Sequence, residues 1–354
     1  MYLNSTKIYK IFGKLLFFFL CLAITAIISI TAPPAISAEE DNIAELQEKA
    51  KKEGKAVLYT AWGWDTVNPL VKAFQKKYPF IKTEVFRTRS EKLLVRVSIE
   101  NSKQRYIADV FAGSALMMFT LKKESRLQPY ISPGRKAFIK EYKDTEGYWT
   151  SCFYDTHALT YNTKLISSEE APESYEALLD PKWKGKIGMD QREYIWFASQ
   201  LEIMGRDRGL SFMKKFARQQ IDFRSGHSLL IQLLAAGEFS VITVGFGSTI
   251  EKYKVNGAPI EWLPINPIVT SLYPAGIAAN APHSNSARLF IDFLLSREGQ
   301  ETLKIPGKTP CSSDVEPLYP GLTKGLKLFP VKPTIVDNYE QVVSEFREIF
   351  FKQR

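Results

Sequence analysis

The sequence predicts an α/β protein of two lobes, each a mainly parallel sheet flanked by helices, with two crossover segments joining them. Three observations carry this. Strand-like and helix-like stretches alternate, with short loops, from Ala56 to a helix that follows from Ser114. An aromatic, β-rich segment at 149–163, WTSCFYDTHALTYNT, then breaks the pattern. Beyond it the alternation restarts, until a second strand-like, proline-broken stretch at 260–279. At 354 residues, 45% hydrophobic and 24% charged, the chain has apolar content for two ordinary cores.

Each element has a local reason. A helix over 43–52 is closed by Gly54, and Ala56 to Tyr59 reads as a strand. In the WGWD that follows, Asp65 can cap a helix whose apolar positions are Val67, Leu70, Val71 and Phe74, all on one face. Pro79 ends it. A strand over 82–86 leads into RTRS, where Ser90 is placed to cap a helix carrying Leu93, Leu94 and Val97. A third strand over 108–111 ends in AGS, with a helix from Ser114. After the aromatic segment come a strand over 186–189, helices near 194–204 and 210–218, and SGHS opening a helix over 227–236. A strand over 241–244 ends in GFGS, and the last portion is helical near 287–303 and 335–351.

The first 38 residues stand apart. Lys7, Lys10 and Lys14 precede an apolar run over 15–30, which Pro33, Pro34 and small residues close. This is the three-part grammar of a secretory signal, with an uncleaved anchor as the alternative. The expected division is therefore 1–38 as signal, 39–152 with 272–354 as lobe 1, and 153–271 as lobe 2. Those three lysines are among 47 basic residues, and none of the 38 acidic ones lies in the segment, so the exported chain has a net charge of +6. A modest positive excess suits anionic ligands. The basic residues are dispersed without an arginine-rich run, which argues against nucleic acid. Cys152 and Cys311 remain after cleavage, an even pair that allows a disulfide or two buried thiols.

Several short motifs occur in a fixed order. They are LDPKWKGKI at 179–187, ADV at 108–110, YNT at 161–163, AGE at 236–238, and APH at 281–283 followed by FIDFLLSREGQ at 290–300. Together they resemble the type II periplasmic solute-binding proteins of ABC importers, in the branch named for ferric-iron binders. The resemblance covers nearly all of the exported chain. It implies a periplasmic clamshell that captures a solute between its lobes, closes by hinge motion and docks on an inner-membrane ABC permease as a monomer. The chain departs from this branch at one point. Ferric-binding members typically carry adjacent tyrosines near the second crossover; here the region reads TSLYPAG, with Tyr273 alone, and no Tyr-Tyr pair exists in the chain. A bare ferric binder is thus an alternative, as is a periplasmic sensor subunit of the same fold.

In such sheets ligands bind at loops leaving the carboxyl ends of strands. Trp62 and Trp64 offer flat aromatic walls. Arg87 and Arg89 can hold a carboxylate or phosphate in bidentate fashion. Ser90 and Ser114 sit where helix N-termini would face the cleft, and each is equally a plain cap. From lobe 2 come Arg192, the turn Ser225–Gly226–His227, and Phe246. Tyr154 and Tyr273 lie in the crossovers, expected to line the cleft floor. This set suits a small organic anion, a phosphorylated or phosphonate compound, or a ferric complex, with no cofactor and no metal ligand set.

Enzyme chemistry is not written in the chain. No G-x-S-x-G, HExxH or Cys-x-x-Cys occurs, and the GKT at 307–309 has Thr302 where a phosphate-binding loop needs glycine.

Overall fold

The structure is a computed structural model and describes residues 43–352. The expected signal at 1–38 lies outside the described residues. The chain opens with α1 (Ile43–Glu53), β1 (Lys55–Thr60), α2 (Trp64–Lys77), β2 (Lys82–Arg87), α3 (Ser90–Ser102), β3 (Val110–Ala112), α4 (Ala115–Lys123) and the short β4 (Leu127–Gln128). β1 runs parallel to β2 and β3, with Leu58 opposite both Val85 and Val110. Val67, Leu70 and Phe74 are buried as the periodicity requires. Two helix starts differ from expectation. Gly63, not Asp65, occupies the cap of α2, and Asp65 Oδ1 accepts from the Thr66 amide within the first turn. Arg89 caps α3, because the Ser90 hydroxyl is engaged elsewhere, accepting from the Ser114 amide. Ser114 does cap α4, accepting from the Met117 amide at 3.3 Å.

β5 (Thr150–Asn162) follows, thirteen residues buried along their whole length. The LDPKWKGKI segment then makes a tight entry into β6 (Ile187–Asp190). Asp180 Oδ1 accepts from the Lys182 amide at 2.8 Å, Trp183 is buried, and Gly185 turns the chain at φ +73°. Next come α5 (Tyr194–Met204), α6 (Arg206–Phe216), β7 (Asp222–Arg224), α7 (His227–Ala236), β8 (Val241–Phe246), α8 (Gly247–Val255) and β9 (Ile260–Leu263). β10 (Ile268–Ala278) returns alongside β5. The chain closes with α9 (Ser284–Leu295), α10 (Arg297–Leu303), the short β11 (Thr309–Pro310) and β12 (Leu328–Pro330), and α11 (Ile335–Phe351). The single helix expected near 287–303 is two: Ser296 ends the first and caps the second, its hydroxyl accepting from the Gly299 amide.

The strand order is β2-β1-β3-β10-β5-β8-β6-β7. The outer strands on each side are parallel. β10 and β5 are antiparallel to each other, β10 to β3, and β5 to β8. Two parallel α/β halves therefore meet at an antiparallel pair, which matches the two-lobed α/β class expected.

The largest core packs the first half against α9, where Phe74 meets Phe290 and Phe293 edge-on at 4.8 and 5.6 Å. A second core surrounds Trp196, Phe197 and Phe216. The last helix touches both. Ile335 belongs to the first core, whereas Val342, Phe346, Ile349 and Phe350 belong to the second. Phe346 is fully buried and meets Tyr194, Phe197 and Phe350 within 5.6 Å. Phe346→Ala is expected to cost about 3–5 kcal/mol, read as a lower urea midpoint, without weakening any ligand bound far from this core.

Candidate functional site

The carboxyl ends of β1, β2 and β8 open onto one cavity of about 740 Å³, with β5 and β10 crossing its floor. Strand geometry decides what faces it. Successive side chains on a strand point to opposite faces. On β5, Phe153 and Asp155 line the cavity, whereas Cys152 and Tyr154 point away from it into the first core, which Phe153 also borders.

Aromatic rings form the apolar part of the wall. Tyr273 stacks flat on Phe153, with centroids 4.5 Å apart and planes at 10°. Trp62 meets Phe153 edge-on at 5.0 Å, and its indole N–H donates to the Gly113 carbonyl. The Trp62 carbonyl accepts from Arg87 Nε at 2.8 Å, which ties the guanidinium to the cavity rim. Phe246 completes this wall from β8.

The polar part is mostly cationic. Arg87, Lys252 and Lys308 line the cavity, against Asp65 and Asp155. Three helices begin at its edge: α2 with Gly63 and Thr66, α7 with Ser228, and α8 with Ser248 and Thr249. The first amides of a helix lack intrahelical partners and carry the positive end of its dipole. α8 starts hard against β5, since a Cβ at Gly247 would sit 2.2 Å from Thr156 Oγ1. Asp155 is buried, accepts from the Ser248 amide at 3.2 Å, and lies 3.9 Å from Lys308 Nζ. Burial raises its pKa, with Lys308 and Ser248 opposing.

Against Phe246 packs a proton-binding pair, a buried Glu193 with a partly exposed His227. The His227 ring stacks on Phe246 at 4.1 Å, and its Nε2 is 2.5 Å from Glu193 Oε1. Burial pushes His227 down, but the Glu193 carboxylate outweighs it and the pKa is raised. Burial also raises Glu193, with His227 opposing. His157, 5.5 Å from Phe246 on its other contact, is pushed down to about 3 by burial and the neighbouring His227 charge, so it stays neutral. Its Nε2 is 2.7 Å from Ser271 Oγ.

Of the expected ligand residues, Trp62, Arg87, Phe246 and Tyr273 line the cavity. The others stand elsewhere. Trp64 is 48% exposed on α2, and Arg89 and Ser225 are exposed. Ser90 and Ser114 are joined by their own hydrogen bond at 3.4 Å. Tyr154 packs on Tyr142 at 5.3 Å in the first core. The Gly226 amide donates to Asp190 Oδ2, the Arg192 amide to Asp190 Oδ1, and the Arg192 side chain is about half exposed. His227 backs the wall through Phe246. Cys152 and Cys311 are both buried free thiols.

Residues 106–324 match the family described as bacterial extracellular solute-binding protein. The chain belongs to that family. An uncharacterized protein of Haemophilus influenzae is 26% identical over 266 residues, covering 71% of this chain and 76% of its own. The Fe(3+)-binding periplasmic protein of Serratia marcescens is 22% identical over 290 residues, 78% of this chain and 84% of its own. Among solved structures, the periplasmic binding protein AfuA from Actinobacillus pleuropneumoniae, with exogenous fructose-6-phosphate bound, superposes with a TM-score of 0.71. It shares 24% identity and covers 84% of this chain and 99% of its own. The family likeness agrees with the short motifs read from the sequence, and the two-lobed fold with the superposition.

For this solute-binding protein, sequence reasoning missed Phe153, Ser248, Lys252 and Lys308. Two of them had signals. Ser248 ends the GFGS motif, and Lys308 is the lysine of the GKT tripeptide at 307–309.

The His227–Glu193 pair predicts a pH dependence of stability. His227 binds its proton more tightly in the native state than at its ordinary value of 6.5. Its contribution is complete below about pH 6.5 and is lost as pH rises through the raised native value. Urea midpoints are expected to fall from pH 6 towards pH 9. Glu193→Gln removes the carboxylate that raises His227, and this alkaline-side loss should disappear.

Proposed function

We propose that the chain is the solute receptor of an ABC importer, exported to the periplasm, and that it captures a small organic anion. A phosphorylated or phosphonate compound fits best. The observation that carries the reading is the convergence of three helix N-termini with Arg87, Lys252 and Lys308 on one cavity. Helix starts and guanidinium or ammonium groups are the donors that hold phosphate-type oxygens. The stacked Phe153–Tyr273 pair and Trp62 supply apolar surface for the body of the solute. The bare ferric reading, which the Serratia relative's name invites, has less support. Three cationic side chains against two carboxylates repel a trivalent cation.

The lobes we infer divide at β5 and β10, the two strands through which the parallel halves join in the sheet. The second half of α11 then belongs with the second core. Closure would be a rotation about the β5–β10 pair, stabilised only by contacts that both lobes make to the solute at once. In this reading the receptor works as a monomer, hands its cargo to an inner-membrane permease and runs no reaction on it.

A melting-temperature screen with phosphate esters, phosphonates, carboxylates, neutral sugars and Fe(III) tests this. A true ligand at a hundredfold excess over Kd stabilises by about 2.7 kcal/mol, several degrees of melting temperature. Phosphate-type anions should produce that shift. Arg87→Ala should then weaken the best ligand about tenfold or more, with exposed Lys184→Ala leaving affinity unchanged. A shift from Fe(III) alone, with a phenolate charge-transfer colour, would sink the anion reading.

A further inference from the structure

The cavity holds one group that an anion alone does not explain. Asp155 is a carboxylate only 2% exposed, on the floor strand β5, and the cavity's other carboxylate, Asp65, is spent on the Thr66 amide of its own helix. A carboxylate has about four acceptor positions. Asp155 Oδ1 takes the Ser248 amide at 3.2 Å, and the Ser248 side chain also contributes a hydrogen bond. Oδ2 faces Lys308 Nζ at 3.9 Å, outside hydrogen-bond reach. His227 pairs with Glu193, Asp190 accepts from the Gly226 amide, and His227 acts on Asp155 only through its charge. A buried carboxylate with acceptor positions open to a solute cavity is costly unless a donor arrives.

Position gives the group a direction. By accepting from Ser248, Asp155 already neutralises the start of α8. The anionic end of a solute is therefore better held by Arg87, at the end of β2 on the cavity rim. Its other end then reaches β5.

We propose that Asp155 is a specificity-determining residue that reads a hydrogen-bond donor, a hydroxyl or an amino group, on the end of the solute remote from its anion. This rests on the anion reading above and sharpens it: the cargo is bipolar, with phosphate-type oxygens at one end and a donor at the other. A site built to hydrogen-bond a donor rejects the analogue lacking it, because its own polar group is left unpaired. The rim selects charge and Asp155 selects the far end.

Matched pairs test this on the full exported chain by calorimetry. Glycerol 3-phosphate against propyl phosphate probes a hydroxyl; 2-aminoethylphosphonate against propylphosphonate probes an amine. Wild type should prefer the donor-bearing member of at least one pair by ten- to hundredfold, and the pair that discriminates tells hydroxyl from amine. In Asp155→Asn, which keeps an acceptor for the Ser248 amide, that preference should shrink to within about threefold. Asp155→Ser, a shorter acceptor at the same place, carries the same expectation should the first variant not fold. If both members weaken equally in the variants, Asp155 is only a cap of α8 and the proposal falls. It also falls if the preference survives unchanged, or if wild type binds both members of each pair alike. If no member of either pair binds wild type, the anion reading falls with it.

Discussion

The pairing of β5 with β10 is the constraint on which the rest of the molecule depends. Six residue pairs, from Thr270–Thr156 to Ala275–Thr150, hold the two strands in antiparallel register, with a shift between Tyr273 and Pro274. Every outer strand is fixed relative to the cavity through them. β3 pairs with β10 and β8 with β5, so both parallel halves present their carboxyl ends to the same space. The register also stacks Tyr273 on Phe153. A slip of one residue would turn Asp155 away from the cavity and bring Cys152 and Tyr154 to the floor.

Because β5 runs between two packed halves, its side chains leave water on both faces. That explains why the floor carries perturbed groups. Asp155 and His157 are buried there and Tyr273 is partly buried, and each is shifted away from its charged form. His227 is the exception, because Glu193 at 2.5 Å outweighs its burial, whereas burial still raises Glu193. Their stack on Phe246 makes the pair the mechanical backing of one cavity wall. Polar chemistry thus sits in the layer where the halves join, beside the β5 and β10 residues that also feed the two aromatic cores.

Much of the fold was legible from local rules, and the reasons are physical. Helices such as α2 show one buried stripe, and Ser114 is a cap whose hydroxyl has no competing partner. Ser90 failed as a cap because a contact across sequence, with Ser114, claimed its oxygen. β5 was visible as a strand but its facing was not. All thirteen residues are buried, so no alternation of polar and apolar positions distinguishes Tyr154 from Phe153 or Asp155. The destination of α11 was hidden for a similar reason, because an amphipathic helix records that it packs and not on what.

Lys308 illustrates the deeper limit. It enters the cavity from the loop after α10, through the short β11 that pairs with β5 at Thr309–Tyr154 and Pro310–Phe153. Two residues are too few for any periodicity, so tertiary pairing alone puts this ammonium 3.9 Å from Asp155. The same arrangement leaves Lys308 too far to satisfy the carboxylate and too near to be irrelevant to it. The pair is neutral overall, so it adds polarity to the floor without adding net charge. The attraction for anions then comes from Arg87, Lys252 and the helix starts, and the charge-neutral floor is left to discriminate between solutes that all carry the same anionic group.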